Sequence, residues 1–252
     1  MEKHIEQLVT WLRMKVDEAN VNGLMVGLSG GIDSTVVAYL IKKAFPDNSL
    51  GVLMPCKSDG KDEEDANLVV EGSGINSLTV DLTEGHDLIF NNIQEQINAK
   101  SDLNADRKKL ADANLRARLR MSTLYTIATN YNYLVVGTDN AAEWYTGYFT
   151  KYGDGGVDLV PLLHYTKTEV REMAKELGVP NRIINKAPSA GLWEGQTDEG
   201  EMGVSYDTID AFLRGEKINE DEENLILKMH ERTAHKRALP PSPPDFHHFT
   251  LD

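Results

Sequence analysis

The stretch LMVGLSGGIDSTVVAYLI, residues 24–41, passes without interruption from a strand through a glycine turn into a helix. Leu24 to Leu28 is an apolar run of strand length, and Val36, Val37, Leu40 and Ile41 then recur at helical spacing. Between them lies SGGIDS, Ser29 to Ser34. The first turn of a helix carries backbone N–H groups with no intrahelical partner, so this turn should attract an anion. Gly30 and Gly31 let backbone approach phosphate oxygens, and Ser29 and Ser34 add hydroxyls, so the span Gly27, Leu28, Ser29, Gly30, Gly31, Ile32, Asp33 and Ser34 is expected to cradle the phosphates of a nucleotide. It is not a GxxxxGK[ST] loop. Aligning Gly27 with that motif's first glycine puts Ile32 at the second glycine and Asp33 at the lysine. An acid there is suited to magnesium that bridges phosphate oxygens, because hard cations take carboxylates together with substrate phosphates. An ordinary glycine turn with Asp33 as a helix-start acid would carry the same letters.

Outward from this unit, apolar runs recur at Leu50 to Met54, Leu78 to Leu82 and Leu134 to Val136, with helical patterns between them. That alternation predicts an α/β fold, a parallel sheet flanked by helices on both faces, in a single domain over 1–252. A long helix is expected from about Asn104 to Asn130, where Leu110, Ala113, Ala117, Met121, Leu124 and Ala128 form a stripe that is either core or a dimer surface. Thr146 to Asp158, TGYFTKYGDGGVD, reads as an ordered functional loop or lid. Thr166 and Glu169 have capping-box spacing, and Gly178 with Pro180 supply the stop. The proline-rich tail, about 240–252, cannot continue a helix.

The 252 residues are 40% apolar and carry a formal charge of −14, which disfavours nucleic acid as a partner. Cys56 is the single cysteine, which excludes an internal disulfide and a multi-cysteine metal site. The N-terminal pattern is an amphipathic helix and no run reaches membrane-spanning length, so a cytoplasmic, soluble protein is expected.

SGGIDS resembles the loop of the N-type ATP pyrophosphatases, and GTDNAAEWYTGYFTKYGDGGVDLVPL, Gly137 to Leu162, is similar to the ammonia-dependent NAD synthetase family. The similarity continues through KAPSA at Lys186 to Ala190, QTDEGEMGVSYDTID at Gln196 to Asp210 and HKRALPPSP at His235 to Pro243. The resemblance implies an adenine nucleotide alpha hydrolase-like (Rossmann-like) fold, a homodimer, and ATP-dependent amidation of nicotinic acid adenine dinucleotide (deamido-NAD) with ammonia. It implies metal ligation by Asp33 and Glu143, with Mg2+ as the cofactor, and ATP contacts from Thr138, Lys167 and Ser189. It implies deamido-NAD contacts from Arg118, Lys151, Asp158, His235 and Lys236. Asp154, in the YGDGG turn, is a candidate for binding ammonium and taking its proton, which completes the catalytic set Asp33, Lys167 and Asp154. Gly191 departs from the aspartate common in relatives.

Each position has a plainer reading: a solvated helix carboxylate for Glu143, a cap for Thr138 with Asp139 and Asn140 equally eligible, a first-turn surface lysine for Lys167. His235 and Lys236 are read as ending a helix that begins near Asn219, where the helix dipole favours cations in any case. Tyr148 and Phe149 are read as ring-stacking groups or as anchors of the loop. Arg118 points about 200° away from Arg116 and Arg120 on a helix and is flanked by Leu115 and Met121, which predicts half-burial and an anionic partner, either a carboxylate of the chain or substrate phosphate. Cys56, just after the second strand, reads as a buried side chain and not as a glutaminase nucleophile, so free ammonia is the expected donor and no glutaminase domain is expected. Asp62 to Asp65, DEED, reads as solvated capping charge. A tRNA-modifying pyrophosphatase would share SGGIDS but should show a basic face, and a nucleotide sensor would not need Lys167 and the acid pair together.

Overall fold

The computed structural model describes residues 1–57, 60–100, 105–189 and 197–243. Four strands, β1 (Gly23–Leu28), β2 (Ser49–Leu53), β3 (Asn76–Thr79) and β4 (Tyr133–Val135), form one sheet in the order β3-β2-β1-β4. Every pairing is parallel, with Leu24 opposite both Ser49 and Leu134. The alternating pattern of β1 settles the layers. Leu24, Val26 and Leu28 face α1 (Glu2–Ala19), α2 (Ile32–Ala44) and α7 (Lys167–Glu176), while Met25 faces α5 (Ala105–Tyr131). β1 is therefore apolar on both sides, as a central parallel strand must be.

α1 buries Ile5, Leu8, Val9, Leu12 and Val16 along one stripe and stops at Asn20, whose φ of 52° is left-handed. Burying each such aliphatic side chain is worth about 1.5–3 kcal/mol. α4 (Thr83–Asn98) covers α5 from outside through His86, Phe90 and Gln94. A second, smaller core joins α6 (Ala141–Thr146), α9 (Asp198–Met202), α10 (Tyr206–Leu213) and α11 (Glu220–Arg232) around Ala142, Met202, Tyr206, Ile209 and Ile226. Among the described residues no helix is long and apolar enough to cross a membrane.

The expected elements are present, with one displacement. The third strand lies at 76–79, not 78–82, because it is an edge strand whose side chains are mostly exposed, so apolar content does not mark it. Pairing continues beyond it through Val80 N to Leu53 O at 2.9 Å and Leu82 N to Pro55 O at 2.8 Å. The DEED segment opens α3 (Gly60–Ser73), but its last acid is not solvated. Asp65 is 4% exposed and is held by Arg182 at 2.6 Å and Lys186 at 2.7 Å, while Asp62 meets Lys186 at 2.8 Å. The cause is α8 (Asn181–Ile184), which brings Arg182, and Lys186 just beyond it, over α3. The α5 stripe is largely interior: Ala113, Leu124 and Ala128 are buried and only Leu110 is strongly exposed.

Candidate active site

A cleft of about 480 Å³ opens beyond the C-terminal ends of the strands. This is where parallel α/β sheets place their ligands. SGGIDS forms its floor. Gly30 adopts φ +72°, and a Cβ there would lie 2.7 Å from Asp65 Cβ and 2.9 Å from Asp62 O, so the turn requires glycine. Ser34 donates to Gly31 O at 3.0 Å, and Ser29 Oγ accepts from Gly31 N at 3.2 Å, which fastens the turn by its own hydroxyls. Gly31 caps α2 without any side-chain cap bond, which leaves the first N–H groups to a ligand.

Three of the expected residues converge. Lys167 Nζ lies 2.6 Å from Asp33 Oδ2 and 3.2 Å from Glu143 Oε1, and the lysine is 2% exposed. It is not a surface lysine. Thr166 forms the expected capping box with Glu169, and buried Asp210 accepts from the backbone N–H of Lys167 and Thr168 at 3.1 and 2.8 Å, fixing the start of α7. Asn140 forms a second capping box with Glu143 and donates to Asp33 Oδ1 at 2.9 Å, so the helix cap goes to Asn140 and Thr138 is left lining the cleft. Burial lifts the Glu143 carboxyl to about 7, although Lys167 works against it. Burial alone would lower the Lys167 pKa, but Asp33 and Glu143 reverse the sign and hold it charged.

Beneath the lysine, the Tyr206 ring centre lies 4.5 Å from Nζ, and its hydroxyl reaches Glu143 Oε1 at 2.9 Å and Asp198 Oδ2 at 3.1 Å. Burial, then the charges of Glu143 and Asp198, keeps that phenol protonated. Tyr148 binds Asp198 and Glu201, and Phe149 stacks on Trp144 with centroids 5.3 Å apart, so both aromatics anchor the lid. Asp154 lies open to the cleft yet hemmed in by protein; burial raises its pKa, and Thr150 N donates to it at 2.8 Å.

Other expected residues separate into groups. Arg118 is exposed, not half-buried, and reaches Lys151 O at 3.4 Å; Lys151 Nζ in turn bonds His235 O. Arg118, Lys151 and His235 thus share one outer rim. The cause is geometric: α5 turns Arg116 and Arg120 inward, and Arg120 sits three residues after Ala117 and four before Leu124, on the cleft-facing stripe. Lys236, in the 3₁₀ turn Ala234–Lys236, points into the cleft and donates to Gly147 O at 2.7 Å and to Phe149 O. Asp158 stands apart, accepting from Tyr125 at 2.9 Å and from Val135 N at 2.8 Å. Ser189 lines the cleft mouth; Gly191 lies outside the described residues. Asp198, Tyr206, Asp210 and Arg120 received no role from the sequence, and Asn140 only that of an eligible cap.

A parallel sheet whose central strand ends in a glycine turn, faced by a lysine between two carboxylates, defines a nucleotide-binding α/β enzyme of the pyrophosphate-loop class. The chain belongs to the NAD synthase family, whose model matches residues 4–240. It is similar to the NH(3)-dependent NAD(+) synthetase of Alkaliphilus oremlandii, with 58% identity over 96% of this chain and 97% of the relative. Among solved structures it resembles the NMN synthetase of Francisella tularensis, with TM-score 0.89 and 39% identity over 96% of this chain and 98% of the other. It also resembles the NH3-dependent NAD synthetase of Campylobacter jejuni, with TM-score 0.76 and 27% identity over 96% and 98%. The chain is accordingly a ligase that forms a carbon–nitrogen bond, and the fold and family expected from SGGIDS and GTDNAAE are borne out.

Proposed function

We propose that this chain makes NAD from deamido-NAD, ATP and ammonia, releasing AMP and pyrophosphate. The observation that carries the reading is the buried Lys167, held between Asp33 and Glu143 at the mouth of the loop. The nicotinate carboxylate attacks the α phosphate of ATP, forming an acyl adenylate with loss of pyrophosphate. The open N–H groups of α2 and the Lys167 ammonium offset charge on the leaving group. Ammonia then attacks the acyl carbon; the C–O bond to AMP breaks, and one proton is released. Asp154, raised by burial and facing the cleft, is the proton acceptor. Adenylation is needed because a carboxylate is a poor electrophile.

Magnesium fits the donor set. Among the described residues no three or more His, Cys, Asp or Glu side chains are grouped to hold a metal, so the protein offers Asp33 and Glu143 and leaves the remaining ligands to phosphate and water. That sparse ligation is magnesium's habit, and the ion would neutralise phosphate charge there. Thr138 and Ser189 are assigned to ATP, and the rim residues Arg118, Lys151 and His235, with Lys236 and Asp158, to the dinucleotide. A homodimer belongs to the same reading. Ile89, Ile93 and Ile97 lie four apart on α4, and with Leu88 they form an exposed apolar face that a second copy would cover.

The test is turnover. Protein, ATP, magnesium, ammonium and deamido-NAD should yield NAD, AMP and pyrophosphate in equal amounts; ADP in place of AMP, or no NAD, would refute the reading. The likeness to an NMN synthetase favours a second substrate, the nicotinate mononucleotide, which presents the same carboxylate. Comparing kcat/KM for the two acids decides between them.

A further inference from the structure

Most cations that line the cleft are already engaged by the protein. Lys167 serves Asp33 and Glu143, Lys186 serves Asp62 and Asp65, and Lys236 is spent on the carbonyls of Gly147 and Phe149. Arg120 differs. Its Nε donates to Met54 O at 3.2 Å, and neither of its two terminal amino groups meets a described acceptor. Asp154 and Asp62 attract it from a distance, without an ion pair, and burial disfavours its charge. A guanidinium so enclosed is stabilised when an anion enters the cleft.

The position selects which anion. Phosphates have the loop and Lys167 on the α2 and α7 side. Arg120 comes from α5, which packs on the other face of the sheet from α2 and α7, and it lines the cleft together with Met54, Met121 and Leu124. That lining offers a fork of donors beside apolar side chains, which suits a flat aromatic ring bearing a carboxylate. We propose that Arg120 binds the carboxylate of the nicotinate ring and is the residue that lets the enzyme distinguish its acid substrate from its amide product. The inference rests on the amidation reading above. Conversion to the amide removes the negative charge, so the product leaves the fork more easily than the substrate enters it. Arg120 also fixes the end of β2 through Met54, so the site that reads the acid is tied to the strand beside the phosphate loop.

The experiment measures binding of deamido-NAD and of NAD, by calorimetry, to the wild type, Arg120→Met and Arg120→Lys. The wild type should prefer the acid. Arg120→Met should weaken acid binding by about 10- to 100-fold, the worth of charge-assisted hydrogen bonds, and leave amide binding within about two-fold. Arg120→Lys should keep part of the preference, as a point charge without the fork. Steady-state KM for ATP should be unchanged in both. An acid-to-amide preference that survives Arg120→Met, a wild type without preference, or a rise in KM for ATP in place of the acid overturns the assignment. Should Arg120→Met fail to fold, Arg120→Lys decides: an undiminished preference and unchanged KM for the acid count against it. Wild-type turnover, run in parallel, separates the outcomes, because a wild type that makes no NAD refutes the amidation reading, whereas normal turnover with an unmoved preference refutes only Arg120.

Discussion

Lys167 stands between two carboxylates at 2.6 and 3.2 Å, and its removal leaves them facing one another without a counter-ion. Lys167→Met should therefore lower kcat by about 100-fold or more, the scale of losing one preorganised charge partner, as measured by pyrophosphate release. Turnover within about two-fold of wild type would remove the lysine from the chemistry. Glu143 supplies a pH signature. Burial lifts its carboxyl from the ordinary range to about 7, so the group is protonated below that pH and ionised above it. A metal requires the ionised form, so magnesium competes with the proton. The magnesium concentration for half-maximal turnover should rise as pH falls from 8 to 6, and a requirement independent of pH would end Glu143's role as ligand. Asp33 and Glu143 were legible because they sit in SGGIDS and GTDNAAE, and Lys167 because it matches a family position in the first turn behind the Thr166 cap. Tyr206, Asp198 and Asn140 were not, since their importance lies in meeting Glu143, Asp33 and each other across the fold. Arg118 is exposed although Leu115 and Met121 flank it, because helix phase outweighs local apolar neighbours. The phase held the answer, because Ala113, Ala117, Arg120 and Leu124 share one face.

The element that couples binding to folding is the β1 turn. Gly30 is left-handed and pressed against α3, and a methyl there meets Asp65 Cβ at 2.7 Å and backbone at 2.9 Å. Gly30→Ala should destabilise the protein by about 1–3 kcal/mol through strain and overpacking, and raise KM for ATP by about 10-fold or more as the turn shifts. Melting temperature and KM measured together check it; an unchanged KM would mean that the turn does not touch the nucleotide. The lid is held in the same manner. A Cβ on Gly153 would lie 2.9 Å from those of Ala117 and Thr150, while Asp154 accepts from Thr150 N, so the turn that presents Asp154 is seated on α5. Strand, loop and helix in residues 24–41 were readable because local propensity and burial agree there. β3 was displaced because an exposed edge strand has no apolar pattern to read, and the ion pairs of Asp65 were hidden because Arg182 and Lys186 are far away in sequence. The smaller core around Tyr206 was equally hidden, since its helices are short and join only in space.

At the scale of the whole molecule, the nitrogen source and the assembly follow from what the chain exposes and what it encloses. Cys56 is fully buried, and burial raises its thiol pKa, so it offers no accessible thiolate for glutamine hydrolysis. The purified protein should form NAD with ammonium and not with glutamine, and thiol alkylation of the native protein should leave turnover unchanged; glutamine-supported synthesis would require a nucleophile elsewhere. The proposed homodimer is assigned to α4. Its inner face covers α5 with His86, Phe90 and Gln94, so the isoleucines at 89, 93 and 97 are turned outward, with Leu88 at 67% exposure beside them. A chain of net charge −14 resists casual association, and self-repulsion sharpens with falling ionic strength. An apolar stripe kept on such a surface favours one specific contact, most simply an isologous one in which α4 packs on its symmetry mate. Ile93→Glu, placed at the stripe's centre, introduces like charges opposite each other across that axis. It should convert the dimer to monomer in sedimentation velocity at micromolar concentration while leaving the circular dichroism spectrum intact, because the side chain is already 44% exposed. A dimer that persists would move the interface off α4. A wild type that sediments as a monomer at the same concentration would remove the homodimer altogether.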